Sequence, residues 1–597
     1  MTELSLTGQR WPLVLRPFAG LGGWRRFAGR GEQSHMLRGG RIGRIGKRVV
    51  SYAPVIGVMM VGLGPLQLVT PASAACLLNG TPTSGTLTSG GTSGNDTLLC
   101  DAVNDLDNGD FNTIGGDDNI TIGDIDGSSS TILGGLGNDT FNITGGNIYT
   151  VDGQGGSDNF TLGGTVWIED GVYGGDDNDT FTVNGGDFVR ALYGGTGNDR
   201  FTLTGGYTSG VDGEGGEDTI DVKDNAVIEA VLGGTENDTI TVTGGLIWGL
   251  VDSGLGNDVV TMSAGEVADN IYLDNYHDPF SPTGGNDTFI MSGGVVGGSV
   301  LGGAGDDDIL LTGGSLRAVK DHYGNDVITL DGATVQSIED TIGDNVIDLK
   351  SGILSYGAFG GSGTDTINIL GVMNIPRVYT YEGDDIVIMS GNSQVDDINL
   401  GPADDQLTMS AGTAQNVTLG LGIDSFIMLG GTVTGTVFGE SESDTITLLA
   451  GTANAVSGGN DNDTINITGA TVTTNVEGDA GDDIISMSAG LVSGSLNGGL
   501  GLDTFNLSGG TANAVSGGND NDRINLTGAA ITTSVSGDAG DDIVTMSAGS
   551  VGQDILLGED TDSFTMTGGS VGGTVSGEAG VDTFTLSGGT AGSVSGG

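Results

Sequence analysis

An aspartate recurs at a nearly constant step of about twenty residues along most of the chain, and no other feature restricts the fold as strongly. One unit stands out cleanly over residues 498–510, GGLGLDTFNLSGG: a glycine-rich turn, Asp503, a short segment, then a second glycine turn. In the short segment Phe505 and Leu507 alternate with Thr504 and Asn506, so one face is apolar and the other polar, the two-residue period of a β-strand. The anchor aspartate runs from Asp96 through Asp118, Asp139 and Asp158 to Asp258. It resumes at Asp287 after one large insertion, is Asn345 once, and continues through Asp365 to Asp582. A longer duplication lies on top: GTANAV at 451–456 returns at 510–515, as tandem copying of whole coils would leave it.

A periodic chain of this kind contacts only its sequence neighbours, so its length need not imply several globular domains. Helical periodicity is absent beyond the first 75 residues, and β-branched residues fill the short segments. Each unit supplies one strand such as Thr504–Leu507, a Gly-Gly corner, and a second segment such as 511–515. Successive units stacked in register would place like strands about 4.8 Å apart. Parallel crossovers are overwhelmingly right-handed. The expected fold is therefore all-β: a right-handed parallel β-helix, or β-solenoid, of about 20 residues per coil with one glycine-rich Asp turn per coil. Its rod would be on the order of 120 Å long. Phe141, Phe160, Phe181 and Phe201 fall on consecutive units and should stack inside. Each such side chain contributes roughly 1.5–3 kcal/mol when fully buried. Glycine at the corners is expected for its freedom to take positive φ.

The formal net charge of −59 conceals an asymmetry. Residues 1–75 are basic, with Glu3 and Glu32 their only acids, and the remainder is strongly acidic. Such a surface repels nucleic acid and attracts cations. Arg38, Arg41, Arg44, Lys47 and Arg48 precede an apolar run from Val49 to Val69, followed by Ala72-Ser73-Ala74, a small-x-small cleavage signature. Residues 1–75 therefore read as a leader and cleaved signal peptide, with Met36 an alternative start. Residues 76–597 read as a single solenoid domain whose last coil is open, as in a truncated chain. The two cysteines, Cys76 and Cys100, open the mature region and in an exported protein are expected to pair.

Five units carry the pattern Gly-Gly-x-Gly-x-Asp in full: 134–139, 194–199, 302–307, 360–365 and 498–503. They resemble the calcium-binding nonapeptides of the repeats-in-toxin family, in which stacked turns share each ion through carbonyls and the aspartate. The resemblance implies calcium at Asp139, Asp199, Asp307, Asp365 and Asp503. This chain departs from the family in having one such turn per coil; the other corner is Ser/Thr-Gly-Gly without an acid, so only one edge could hold ions. Unit charges 4.8 Å apart repel by about 0.9 kcal/mol at bulk-water dielectric. A column of aspartates therefore needs bridging or screening. The alternative is that each makes a local Asx-turn, solvated by counterions.

The insertion between Asp258 and Asp287 contains Tyr272, Tyr276, His277 and Phe280, a candidate contact loop. His277 and His322 are the only histidines beyond the leader, no nucleophile signature accompanies them, and no catalytic residue is assigned. An export signal, an early cysteine pair and a long glycine-rich solenoid resemble the passenger region of a bacterial autotransporter. That resemblance, over residues 76–597, implies a C-terminal outer-membrane barrel beyond this chain and location at the cell surface, outer membrane or extracellular space. It also implies an adhesin-like or structural role toward a surface ligand. A secreted calcium-binding protein of the repeats-in-toxin kind is the competing class. A polysaccharide-acting β-helix enzyme would need acids clustered on one sheet face, whereas these lie at the corner.

Overall fold

The computed structural model describes residues 76–82, 91–100, 110–123, 130–277 and 282–597. The expected leader, residues 1–75 with Met36 and the cleavage signature, lies outside the described residues, and so does Phe280.

All regular structure among the described residues is β. The chain winds as a parallel β-solenoid of about twenty residues per coil, each coil made of an anchor strand that follows the aspartate and a longer return strand. Ile484–Met487, Thr504–Leu507 and Arg523–Ile531 are consecutive anchor strands, paired in parallel with Ile485, Phe505 and Ile524 side by side. Leu491–Leu500 and Thr511–Asn519 are return strands, with Leu496 beside Val515 and Gly499 beside Gly518. Like stacks on like because the period of the sequence equals the length of a coil.

The two-residue period of the anchor strands decides what is inside. Phe505 and Leu507 are buried while Thr504 and Asn506 reach outward. Return strands contribute smaller residues, such as Ala512 and Val515. Phe141, Phe160, Phe181 and Phe201 stack as expected, with successive ring centroids 4.6, 4.8 and 4.5 Å apart and nearly parallel planes. That spacing is imposed by the strand separation.

The first coil is closed by a different device. Leu77–Leu78 pairs antiparallel with Leu98 and Leu99 of Thr97–Cys100, covering an edge that would otherwise be bare. A Cys76–Cys100 disulfide ties this cap to the first anchor strand.

Candidate functional site: a column of buried carboxylates

The anchor aspartates are not on the surface of the corner. Asp139, Asp199, Asp365 and Asp503 are each at most 1% exposed. Their carboxylates turn into the rod, and each Oδ1 accepts the backbone N–H of the anchor one coil earlier. Asp118 N–H donates to Asp139 at 2.7 Å, Asp179 N–H to Asp199 at 2.6 Å, and Asp483 N–H to Asp503 at 2.8 Å. The anchor's own carbonyl accepts from the next coil, as Asp483 O does from Thr504 N–H at 2.8 Å. The relay crosses the large insertion intact, Asp258 N–H reaching Asp287 Oδ1 at 2.7 Å. The local Asx-turn alternative is thereby replaced by hydrogen bonds between coils.

A second, exposed relay runs the opposite way through the residue before the anchor. Asn462 Oδ1 accepts from Asp482 N–H at 2.7 Å, and Asp482 Oδ1 from Leu502 N–H at 2.8 Å. Together the two relays satisfy corner N–H groups that a tight, stacked turn leaves without strand partners.

The other carboxylate oxygen has no such partner. Oδ2 of nearly every anchor from Asp118 to Asp582 is buried without a hydrogen bond. On many coils it faces the first glycine of its own turn, a place taken on others by buried Ser253, Thr380, Leu400, Leu419 or Leu557: a Cβ built on Gly498 would lie 2.1 Å from Asp503 Oδ2 and 2.3 Å from the carbonyl oxygen of Gly517 on the next coil. The same pair of oxygens meets at Gly134 (Asp139 Oδ2 and Gly153 O) and at Gly194 (Asp199 Oδ2 and Gly213 O). The first glycine is thus present for room. Gly499 and Gly501, with φ of 121° and 118°, are the two that the turn requires for left-handed backbone. Sequence reasoning credited the glycines with conformational freedom alone and missed this spatial role.

A carboxylate in such a place is hard to ionise. Burial pushes Asp179 up to about 8; the Asp158 N–H opposes this, and the charges at Asp158 and Asp199 add to it. Burial likewise carries Asp139 to about 6 and Asp503 to about 7. Asp96 is the instructive exception. Standing on the first coil of the described residues, it accepts instead from Asn79 Nδ2 at 2.6 Å, from Thr92 Oγ1 at 3.1 Å and from the Thr92 N–H. Burial still disfavours its charge, yet these bonds outweigh it and hold the group below its ordinary value.

The five residues singled out by the strict motif do not form a class of their own. Asp158, Asp179 and Asp483 show the same oxygen pairing at Gly153, Gly174 and Gly478, although their turns lack the full pattern. Asp365 Oδ2 also faces its first glycine, Gly360, but the next coil carries Thr380 at that place. Asp307 differs, because the space at Gly302 is filled by the carboxylate of Asp321. In the insertion, the Tyr276 and His277 rings lie 3.9 Å apart and Tyr272 is 6.1 Å from Tyr276. His277 is exposed, and Tyr276 N–H donates to Asp252 Oδ2 at 3.4 Å. His322 is half-buried at its corner, with Nδ1 2.9 Å from Thr341 Oγ1.

No protein-family model matches the chain, and no curated protein matches it. Among solved structures it is similar to a hyperactive, Ca2+-dependent, beta-helical antifreeze protein from an Antarctic bacterium, known from its X-ray crystal structure. The identity is 20% over 58% of this chain and 78% of that one, with a TM-score of 0.20, too low for any property to be transferred.

Proposed function

We propose that the chain is an exported, non-enzymatic β-solenoid rod whose anchor aspartates hold calcium, displayed at or released from a bacterial surface in the manner of an autotransporter passenger. The observation that carries the calcium part is the interior column of unpartnered Oδ2 atoms, which meet a glycine carbonyl of the next coil in two runs, from Asp139 to Asp218 and from Asp444 to Asp522. An oxygen-only donor set is the chemistry that calcium prefers. Asp139, Asp199 and Asp503, with the carbonyls of Gly153, Gly213 and Gly517, are representative donors. Bound calcium would supply the positive charge that the buried carboxylates lack. The export signature, the disulfide at the first coil and the net charge of −59 support an extracytoplasmic rod, where disulfides persist and calcium is plentiful. An adhesin-like role would fall to projections from the rod, of which the Tyr272, Tyr276 and His277 insertion is the candidate.

The same column favours a second reading, a secreted calcium-binding protein of the repeats-in-toxin kind. The two differ in export route. A mature N-terminus beginning after Ala74 supports the first, and an intact leader on the secreted chain supports the second. Calcium dependence itself is tested by far-UV circular dichroism of the full chain in chelator and in millimolar calcium. Strand signal that appears only with calcium, or strengthens with it, is expected. Identical spectra and melting curves in both would refute the calcium part.

A further inference from the structure

Where many coils set a glycine against the anchor, and some set a buried Ser253, Thr380, Leu400 or Leu419, one stretch of the rod sets acids. On the return strands, the inward position is Gly302, then Asp321, then Asp340, then Gly360. This follows from the pairing of Leu301 with Lys320, Lys320 with Glu339, and Glu339 with Phe359, each one residue earlier. Asp321 is 0% exposed and Asp340 4%, so two extra carboxylates on adjacent coils point into the interior against the anchors Asp307 and Asp326.

Their first oxygens are engaged locally. Asp321 Oδ1 accepts from His322 N–H at 3.0 Å and Gly303 N–H at 3.2 Å, and Asp340 Oδ1 accepts from Thr341 N–H at 2.7 Å. The Oδ2 atoms of Asp307, Asp321, Asp326 and Asp340 are all buried without a hydrogen bond. Carboxylate oxygens of Asp307, Asp321 and Asp326 lie within 4.8 Å of one another. Lys320, which alternates outward, pairs with Glu339 at 2.7 Å, and the His322 ring bonds Thr341.

The one asparagine in the anchor series falls at this place. Asn345, on the coil of Asp340, keeps the relay through Oδ1, which accepts from Asp326 N–H at 2.9 Å, and its Nδ2 donates to Gly343 O at 3.2 Å. It preserves the hydrogen bond while removing one negative charge beside Asp340.

We infer that Asp307, Asp321 and Asp326, with Asp340 adjoining, form a discrete interior calcium site, distinct from the repeated turn positions in taking several carboxylates around one ion. Ligand charge count tunes calcium affinity, so this site should bind roughly tenfold or more tighter than a turn that offers one carboxylate and a carbonyl.

Calorimetric titration of the metal-free full chain with calcium provides the test, comparing wild type with the double variant Asp321→Gly, Asp340→Gly. The double variant restores the glycine that many other coils carry. A tight phase of about one equivalent in wild type, lost in the variant while any weaker phase persists, is the expected result. The isosteric Asp321→Asn, read in the same way, covers the case in which the double variant fails to fold. A tight phase unchanged in the folded variants, or absent from wild type, overturns the inference. The turn-column reading fails separately, by absence of the weaker phase alone.

Discussion

The backbone N–H of Asp463 donates to Oδ1 of Asp483 at 2.7 Å, one coil further along, while Oδ2 of Asp483 is buried with no hydrogen-bond partner. One side chain therefore does two separable things: it closes a corner hydrogen bond, and it places a charge-bearing oxygen in a dry interior. The two can be taken apart by substitution.

Asp483→Asn keeps the Oδ1 acceptor, as Asn345 does naturally, whereas Asp483→Ala leaves the Asp463 N–H buried and unpaired. The alanine variant should lose about 1–3 kcal/mol in chelator, the cost of orphaning a buried donor. The asparagine variant should lose little in chelator but forgo part of the stabilisation by calcium. Denaturant unfolding with and without calcium measures both. Equal behaviour of the two variants would contradict the division of labour.

Gly498→Ala tests the room reserved for the carboxylate. Its Cβ would fall 2.1 Å from Asp503 Oδ2 and 2.3 Å from Gly517 O, closer than real contacts allow. A loss of about 1–3 kcal/mol is expected from overpacking, although the new residue has ordinary φ. Paired with Asp503→Ala the cost should fall, which a double-mutant cycle would detect.

The buried column gives the calcium-free rod a pH dependence. Burial raises Asp179 and Asp238 to about 8 and Asp158 and Asp218 to about 7, above the ordinary carboxylate value. The folded chain then holds protons that the unfolded chain has released, so stability is full below about pH 4 and is lost as pH rises through 6 to 8. Melting in chelator should occur at lower temperature at pH 8.5 than at pH 5. Calcium should reverse the trend, since its ligands must be deprotonated. A calcium-free melting point that climbs over that range would contradict the buried, unpaired state of the column.

The cap makes a local prediction. Replacing Cys76 and Cys100 with serine opens a crosslink spanning 24 residues, worth about 3 kcal/mol by loop-closure entropy. Because each coil touches only its neighbours, the loss should be confined to the first coils. Hydrogen exchange is expected to quicken at Leu98 and Ile120 and to stay slow at Phe505. Uniform quickening along the rod would contradict this.

The winding itself was legible because the evidence for it is local: the step between anchors equals one coil, and Phe505 and Leu507 show the strand period within four residues. The stacked phenylalanines follow from the same arithmetic. The direction in which Asp503 points was not legible. An acid beside glycines reads as a solvated corner, and only the stacking of coils brings the N–H of Asp483 within its reach. The role of Gly498 was hidden for a related reason, since its neighbour in space, Gly517 O, belongs to the next repeat. The strict motif also misled by its strictness: Asp179 and Asp483 occupy the same environment as Asp503 without the full pattern. Asp321 and Asp340 could have been noticed, had the return strands been aligned, as acids standing where the repeat carries its first glycine.

The claim on which the rest depends is that the interior carboxylate column takes up metal. Crystals of the calcium-loaded full chain, measured for anomalous scattering, address it directly. The expected result is a row of anomalous peaks inside the rod between anchor Oδ2 atoms and glycine carbonyls, repeating at about 4.8 Å or a multiple of it. A well-ordered rod with no anomalous density along that column would contradict it.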